Sequence, residues 1–235
     1  MNISGKETDL FQIIPELEKV DERKLGKIFS ADFKSHLKAV EFDYLAAESG
    51  LDKENLLRKL AELANNFALA SVSGKKIGAA LETEEGDVFL GANIEFEKIS
   101  PKFTIHAEQS AAINANNNGA RAFRRLAVDA VPCGICRQFF TDFPNAKNIH
   151  FLTPEGDFSL ADLLPHPFEL DHAGTGVEFD NIRLDVENPD PMTTLAFEAV
   201  KNSYSPYTGY IAAASIRTYD GKIFSGAYFE NAAFN

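Results

Sequence analysis

Apolar residues recur at helical spacing through the first fifty positions. Leu10, Ile13, Ile14 and Leu17 form one stripe; Phe33, Leu37, Val40, Tyr44 and Leu45 form another, and Gly50 closes the region. The pattern over residues 8–47 predicts a small helical cap, with His36 expected at its surface. A longer helix is predicted from Asp52, a side chain suited to an N-cap, with Leu56, Leu57, Leu60, Leu63 and Phe67 as its apolar stripe, ending near Ser71–Gly74. The period then changes. Ile77 to Thr83 and Asp87 to Ala92 read as two strands joined by a hairpin turn at Glu84-Glu85-Gly86. Just beyond, Asn93 and Glu95 share one side of an extended segment, because side chains alternate with period two. A carboxylate and an amide so placed can grip a pair of vicinal hydroxyls; the competing reading is a solvated loop.

From His106 onward, Ala111, Ala112, Ile113 and Ala115 favour a helix that Gly119 would cap. Leu126 to Ala130 reads as a buried strand, and Pro132 suits the entry of a second helix. Asn148 to Leu152 is a further predicted strand, followed by a short helix from Ser159 to Leu164. The stretch 165–190 is rich in Pro, Gly, Asp and Asn and reads as a linker, with Ile182 to Val186 as an edge-strand candidate and His166 and His172 as loop residues. The last 45 residues repeat earlier ones. At an offset of 135, Leu81-x-Thr83-x-x-Gly86-x-Val88-Phe89-x-Gly91-Ala92 overlies Ile216-x-Thr218-x-x-Gly221-x-Ile223-Phe224-x-Gly226-Ala227, and Glu95 overlies Glu230. The equivalent of His106 would fall at position 241, so the second copy, 191–235, is expected to be incomplete and metal-free. The expected organisation is a cap over 1–50, a zinc-binding catalytic domain over 51–164, the linker, and this second copy.

The chemistry concentrates between Thr104 and Gln138. His106, Cys133 and Cys136 are metal donors, and Glu108 follows the histidine by two. Structural zinc sites close with four protein ligands, whereas catalytic ones leave the fourth position open. The chain has two cysteines in all, so three donors point to the catalytic kind. Donors on first helical turns face the positive ends of helix dipoles, which supports thiolates. A redox C-x-x-C is the alternative, and it leaves His106 and Glu108 unexplained. The two cysteines at metal spacing fit a reducing compartment, and the N-terminus lacks a secretory pattern, so a cytoplasmic location is expected. No run approaches the roughly 18 apolar residues of a membrane span. A net charge of −12 repels phosphate backbones and argues against a nucleic-acid substrate, favouring a small uncharged one.

The pairing of H-x-E with P-C-x-x-C resembles the zinc nucleobase deaminases. Together with Gly91-Ala92-Asn93-Ile94-Glu95-Phe96 and the closing Gly226-Ala227-Tyr228-Phe229-Glu230-Asn231-Ala232-Ala233-Phe234-Asn235, the chain is similar to the cytidine deaminase family, in its two-domain homodimeric bacterial type. The resemblance implies a three-layer α/β/α fold with a mixed five-stranded sheet, duplicated. It implies one zinc ion per chain on His106, Cys133 and Cys136, with Glu108 as the proton-transferring residue in hydrolytic deamination of cytidine and deoxycytidine. It further implies substrate contacts from Asn93, Ile94, Glu95 and Ala107, with Phe234 reaching the partner subunit's pocket. Arg137 is expected either to brace the metal loop or to form a salt bridge. The chain departs from relatives at Lys75, where many carry an aromatic residue lining the nucleoside pocket. That departure keeps open a different nucleoside or a free base as substrate, and a zinc-stabilised binding module is the non-enzyme alternative.

Overall fold

The computed structural model describes residues 7–30, 33–168, 183 and 185–233. Its centre is a six-stranded mixed sheet in the order β1-β3-β2-β4-β5-β6, built from β1 (His36–Leu37), β2 (Gly78–Thr83), β3 (Val88–Ala92), β4 (Phe123–Val128), β5 (His150–Thr153) and β6 (Gly156–Ser159). β4 and β5 are its parallel pair; the other neighbours are antiparallel. The sheet therefore has one strand more than the five expected. The extra one, β1, comes from the cap, otherwise built of α1 (Glu7–Ile13), α2 (Glu22–Ile28) and α3 (Ala39–Ser49). His36 is not a free surface residue. Its Nε2 lies 2.7 Å from Asp87 Oδ2, and its ring stacks on Phe89 with centroids 4.2 Å apart.

α4 (Lys53–Asn65) opens on the expected N-cap, with Asp52 accepting a hydrogen bond from the Asn55 N–H at 2.8 Å. Its leucine stripe covers one face of the sheet and joins the cap in one core: Leu56, Leu57 and Leu60 pack with Leu10, Ile14, Leu37 and Phe42 and with Ala80 and Val88 of the strands. α5 (Ala107–Asn117) and α6 (Gly134–Phe140) cover the other face, over Ala79, Leu81, Phe89, Phe123 and Phe151. Two glycines set how closely the layers meet. A Cβ at Gly78 would sit 2.0 Å from the Ala61 carbonyl oxygen of α4, and one at Gly91 would sit 2.3 Å from the Ala111 nitrogen of α5. Both helices thus lie directly on the strands because those positions carry no side chain.

α7 (Leu160–Leu163) follows β6, capped by Ser159, which accepts from the Asp162 N–H. The edge-strand candidate at 182–186 lies partly outside the described residues; Arg183, Asp185 and Val186 form no strand. The second copy comprises α8 (Pro191–Ala199) packed on the hairpin β7 (Ala213–Arg217) and β8 (Ile223–Ala227). It repeats the first copy's register: Ala79 pairs with Gly91, and Ala214 pairs with Gly226. It docks through Phe229, whose ring lies 5.5 and 5.6 Å from those of Phe139 and Phe143. Asp142 ties the contact, accepting hydrogen bonds from the Tyr207 hydroxyl at 2.8 Å and the Ala232 N–H at 2.7 Å.

Candidate active site

Two helix starts converge at the end of β4. His106 is the N-cap of α5 and Cys133 the N-cap of α6, so both donors stand among unpaired N–H groups at positive helix ends. His106 Nδ1 lies 3.4 Å from Cys133 Sγ and 3.3 Å from Cys136 Sγ. A metal about 2.0–2.3 Å from each donor in tetrahedral geometry would hold neighbouring donors about 3.5 Å apart, so the spacing fits zinc. These three are the one such donor group among the described residues, and they offer no fourth protein ligand. The ring is oriented from behind: Nε2 lies 3.3 Å from the Pro101 carbonyl oxygen, which leaves Nδ1 to face the sulfurs. The turn is fixed by Gln109 Oε1, which accepts from the His106 N–H at 3.0 Å. Among the described residues Arg137 forms no salt bridge; it braces the other donor loop, donating to the carbonyls of Pro132 at 2.7 Å and Leu163 at 3.0 Å.

The electrostatics favour an anion at one sulfur. A hydrogen bond from the Cys136 thiol, opposed by burial and helped by His106, lowers Cys133 to about 3. Cys136 is pushed up by that same bond and by burial, and His106 is raised chiefly by its hydrogen bond to Cys133. The surroundings of Cys133 thus favour its thiolate, the form that binds metal. Glu108, in the first turn of α5, is 5% exposed, and burial raises its carboxyl above the usual range. A carboxyl that is held protonated more readily than usual, next to three metal donors, is suited to taking and giving protons near neutral pH.

His106, Cys133 and Glu108 line one cavity of about 260 Å³, which Asn93, Glu95, Lys75 and Ala107 also line. A larger cavity of about 500 Å³ runs along α4 past Arg58 and Asp129, but it holds no metal donor group. The metal donor group lies at the smaller one. Asn93 and Glu95 do lie on the same side of the chain, both buried rather than solvated. Asn93 Oδ1 accepts from the Ile77 N–H at 2.8 Å, and its Nδ2 donates to the Lys75 carbonyl at 3.0 Å. Ile94 is not among the lining residues; its backbone bridges Leu69 and Ile105. Phe234 lies outside the described residues.

Cytidine deaminases of Vibrio vulnificus (strain YJ016) and Shewanella sediminis are each 33% identical to this chain, over 88% of it and 72% of the former, and over 94% and 76% for the latter. The chain belongs to the cytidine deaminase family. The family model "Cytidine and deoxycytidylate deaminase zinc-binding region" matches residues 52–153, and a second model of that description matches 151–235. A solved cytidine deaminase of Mycobacterium tuberculosis is 30% identical over 49% of this chain and 97% of its own, with a TM-score of 0.46. Within this cytidine deaminase fold, two residues carry site geometry that sequence spacing did not show. Ser73 donates its hydroxyl to Glu95 Oε1 at 2.6 Å. Asp129, at the exit of β4, accepts from the Gly78 N–H at 2.9 Å and from Asn65 Nδ2 at 2.8 Å, pinning the segment that leads to Cys133.

Proposed function

We propose that the chain deaminates cytidine and deoxycytidine hydrolytically, yielding uridine or deoxyuridine and ammonia, with His106, Cys133 and Cys136 holding zinc. The observation that carries this reading is the buried Glu108 beside the three donors, in the cavity that Asn93 and Glu95 also line. Zinc in such a site supplies Lewis acidity, which brings the pKa of a coordinated water towards about 7. Glu108 removes a proton from the attacking water and passes it to ring N3. Addition of the water oxygen to C4 opens the C4–N3 double bond as N3 takes its proton; Glu108 then delivers the second proton to the amino group, and the C4–N bond breaks as the C4 carbonyl forms, so one water is consumed for each ammonia released. Asn93 and Glu95 form the wall at the sugar end, and the backbone of Ala107 borders the base. The catalytic unit spans 51–164 and the second, metal-free copy 191–235.

The salvage of pyrimidine nucleosides in the cytoplasm, by a homodimer, is the setting that agrees with this chemistry. No helix of the described residues is long and apolar enough to cross a membrane. Support for the dimer comes from the exposed apolar pair Ile216 and Phe224 on one face of the β7–β8 hairpin. Lys75 favours one further test, because a lysine replaces an apolar wall: a screen of cytosine, adenosine and guanosine beside cytidine, followed by ammonia release. Cytidine turnover that falls by at least about 10²-fold in Glu108→Gln with zinc retained is the expected result. A wild-type protein that binds zinc but releases no ammonia from cytidine overturns the reading, and release from another substrate alone identifies the replacement.

A further inference from the structure

The two helices that carry the metal donors begin side by side and end on the second copy. His106 is the N-cap of α5, which finishes at Asn117, and Cys133 is the N-cap of α6, which finishes two residues before Asp142. At the far end of α5, Asn202 makes two bonds: its carbonyl accepts from Asn116 Nδ2 at 2.9 Å, and its own Nδ2 donates to the Asn117 carbonyl at 2.7 Å. Beyond the far end of α6, Asp142 accepts from the Tyr207 hydroxyl and the Ala232 N–H, and its carbonyl accepts from the Tyr204 hydroxyl at 3.3 Å. Tyr204 joins the two attachments. Its ring stacks on Phe229, which packs on Phe139 of α6. The guanidinium of Arg121 lies 5.0 Å from the same ring, and Arg121 Nε donates to Asn116 Oδ1 of α5 at 2.9 Å.

Asn116 is 2% exposed and both ends of its amide are used, so loss of either partner leaves a buried polar group unpaired. Packing on the sheet sets the height of each helix above the strands, and the bridge across their far ends restricts the angle between them. That angle matters because α5, with 11 residues, is about 16 Å long, so a tilt of about 4° at its far end carries His106 about 1 Å. Metal bonds tolerate about 0.2 Å. We infer that the second copy acts as a brace within the chain: Asn202 and Tyr204 are positioning residues that tie the far ends of α5 and α6 together and so keep His106 at bonding distance from a metal shared with Cys133 and Cys136. The inference rests on the reading of these donors as a zinc site. It gives a part in the reaction to a copy that offers no metal donor group among the described residues.

The test uses Tyr204→Ala, which removes the bridge, and Asn202→Ala, which removes only the bond to Asn117. Leu17→Ala is the control, because it opens the core of the cap, away from both helices. Zinc affinity measured by chelator competition should fall at least about tenfold in Tyr204→Ala, the low end for loss of a group that orients metal ligands, and by a smaller factor in Asn202→Ala, with Leu17→Ala like wild type. Cobalt(II) loaded in place of zinc gives a second readout, since its visible absorption follows the angles between its ligands and should change in both brace variants. With zinc saturating, kcat for cytidine should fall while KM holds, because the cavity walls at Asn93 and Glu95 belong to the first copy. Unchanged affinity and cobalt absorption in Tyr204→Ala overturn the inference, and so does an equal loss in Leu17→Ala, which traces the effect to stability alone. Should Tyr204→Ala not fold, Asn202→Ala decides by the same measures. In the metal-free proteins the amide NMR signals of Ala107 and Gly134, at the two helix starts, should shift in the brace variants, and unshifted signals also overturn it. If wild type takes up no zinc, the zinc reading fails, and the brace stands or falls on those signals.

Discussion

Gly91→Ala tests whether the close seat of α5 on the sheet is what places the catalytic groups. The added Cβ would lie 2.3 Å from the Ala111 nitrogen and 2.4 Å from the Ala107 carbonyl oxygen, where ordinary contacts begin at 3.4 Å. Both atoms are helix backbone, so no side chain can swing aside, and α5 must retreat by about 1 Å. Overpacking of this kind costs about 1–3 kcal/mol. For a chain of this length that is a loss of roughly 2–12 °C in Tm, since each kcal/mol shifts it by about 2–4 °C. The functional loss should be larger than the stability loss suggests, because α5 carries His106 at its N-cap and Glu108 in its first turn. A displacement of about 1 Å in a reacting group costs on the order of 10²-fold in rate. The control is Gly226→Ala, at the matching position of β8, where a Cβ meets nothing within 4 Å. It should change stability by no more than about 0.5 kcal/mol. Differential scanning calorimetry and kcat/KM for cytidine on the zinc-loaded proteins measure both effects. A Gly91→Ala protein that matches wild type in Tm and kcat/KM, or a Gly226→Ala protein that loses as much, refutes the reasoning.

Asp129→Asn keeps an acceptor for Gly78 and Asn65 and removes a charge that burial disfavours, so it should equal wild type in stability at pH 7, whereas Asp129→Ala should lose about 1–3 kcal/mol in urea unfolding because the buried Gly78 N–H loses this acceptor and Asn65 keeps only the Lys76 carbonyl. Lys75→Phe gives the cavity an apolar wall worth on the order of 1–3 kcal/mol and should lower KM for cytidine; an unchanged KM would place the Lys75 side chain outside the substrate's contacts. Ser73, through its hydroxyl and then its amide, holds the Glu95 carboxyl below its usual 4.5. A group depressed in the folded state contributes its stability above the unfolded value, so the gap between wild type and Glu95→Gln should be constant above about pH 5 and shrink as pH falls below 4.5. A gap that grows on acidification would reverse the assigned sign.

The parts legible in the sequence are those that depend on local spacing. The α4 stripe, the β2–β3 hairpin and the capping Ser159 each announce themselves within a dozen residues. The donor set was legible for a different reason: three donor residues and an acid in one short stretch have few other uses, and helices that begin at His106 and Cys133 bring them together. What escaped depends on distant partners. β1 is two residues long and exists because His36 and Leu37 pair with Phe89 and Val88, some fifty positions away. β6 carries Gly156-Asp157-Phe158-Ser159, which shows no clear alternation, and is held by its pairing with β5. The contact of Ser73 with Glu95 had a signal that went unread: Ser73 and Thr208 stand at the same 135 offset as Glu95 and Glu230. In both copies the carboxylate accepts from the N–H of the hydroxyl residue, and in the first from its hydroxyl as well.

The duplication separates what the fold needs from what the site needs, because one hairpin is seen in two settings. Where both copies carry the same chemistry, as with Glu95 and Glu230 or Gly74 and Gly209, the residue closes the backbone, and the same bonds reappear at nearly the same lengths. Where they differ, the difference follows the cavity. Asn93 lines it together with His106 and Glu108, whereas Tyr228 is 39% exposed and packs on an exposed Tyr210. Lys75 belongs to this second group, standing opposite Tyr210 in the repeat and lining the cavity in the first copy. Its identity is therefore not fixed by the loop, whose turn is made with either residue. Lys75→Phe therefore tests the cavity wall at a position whose residue the loop turn does not dictate.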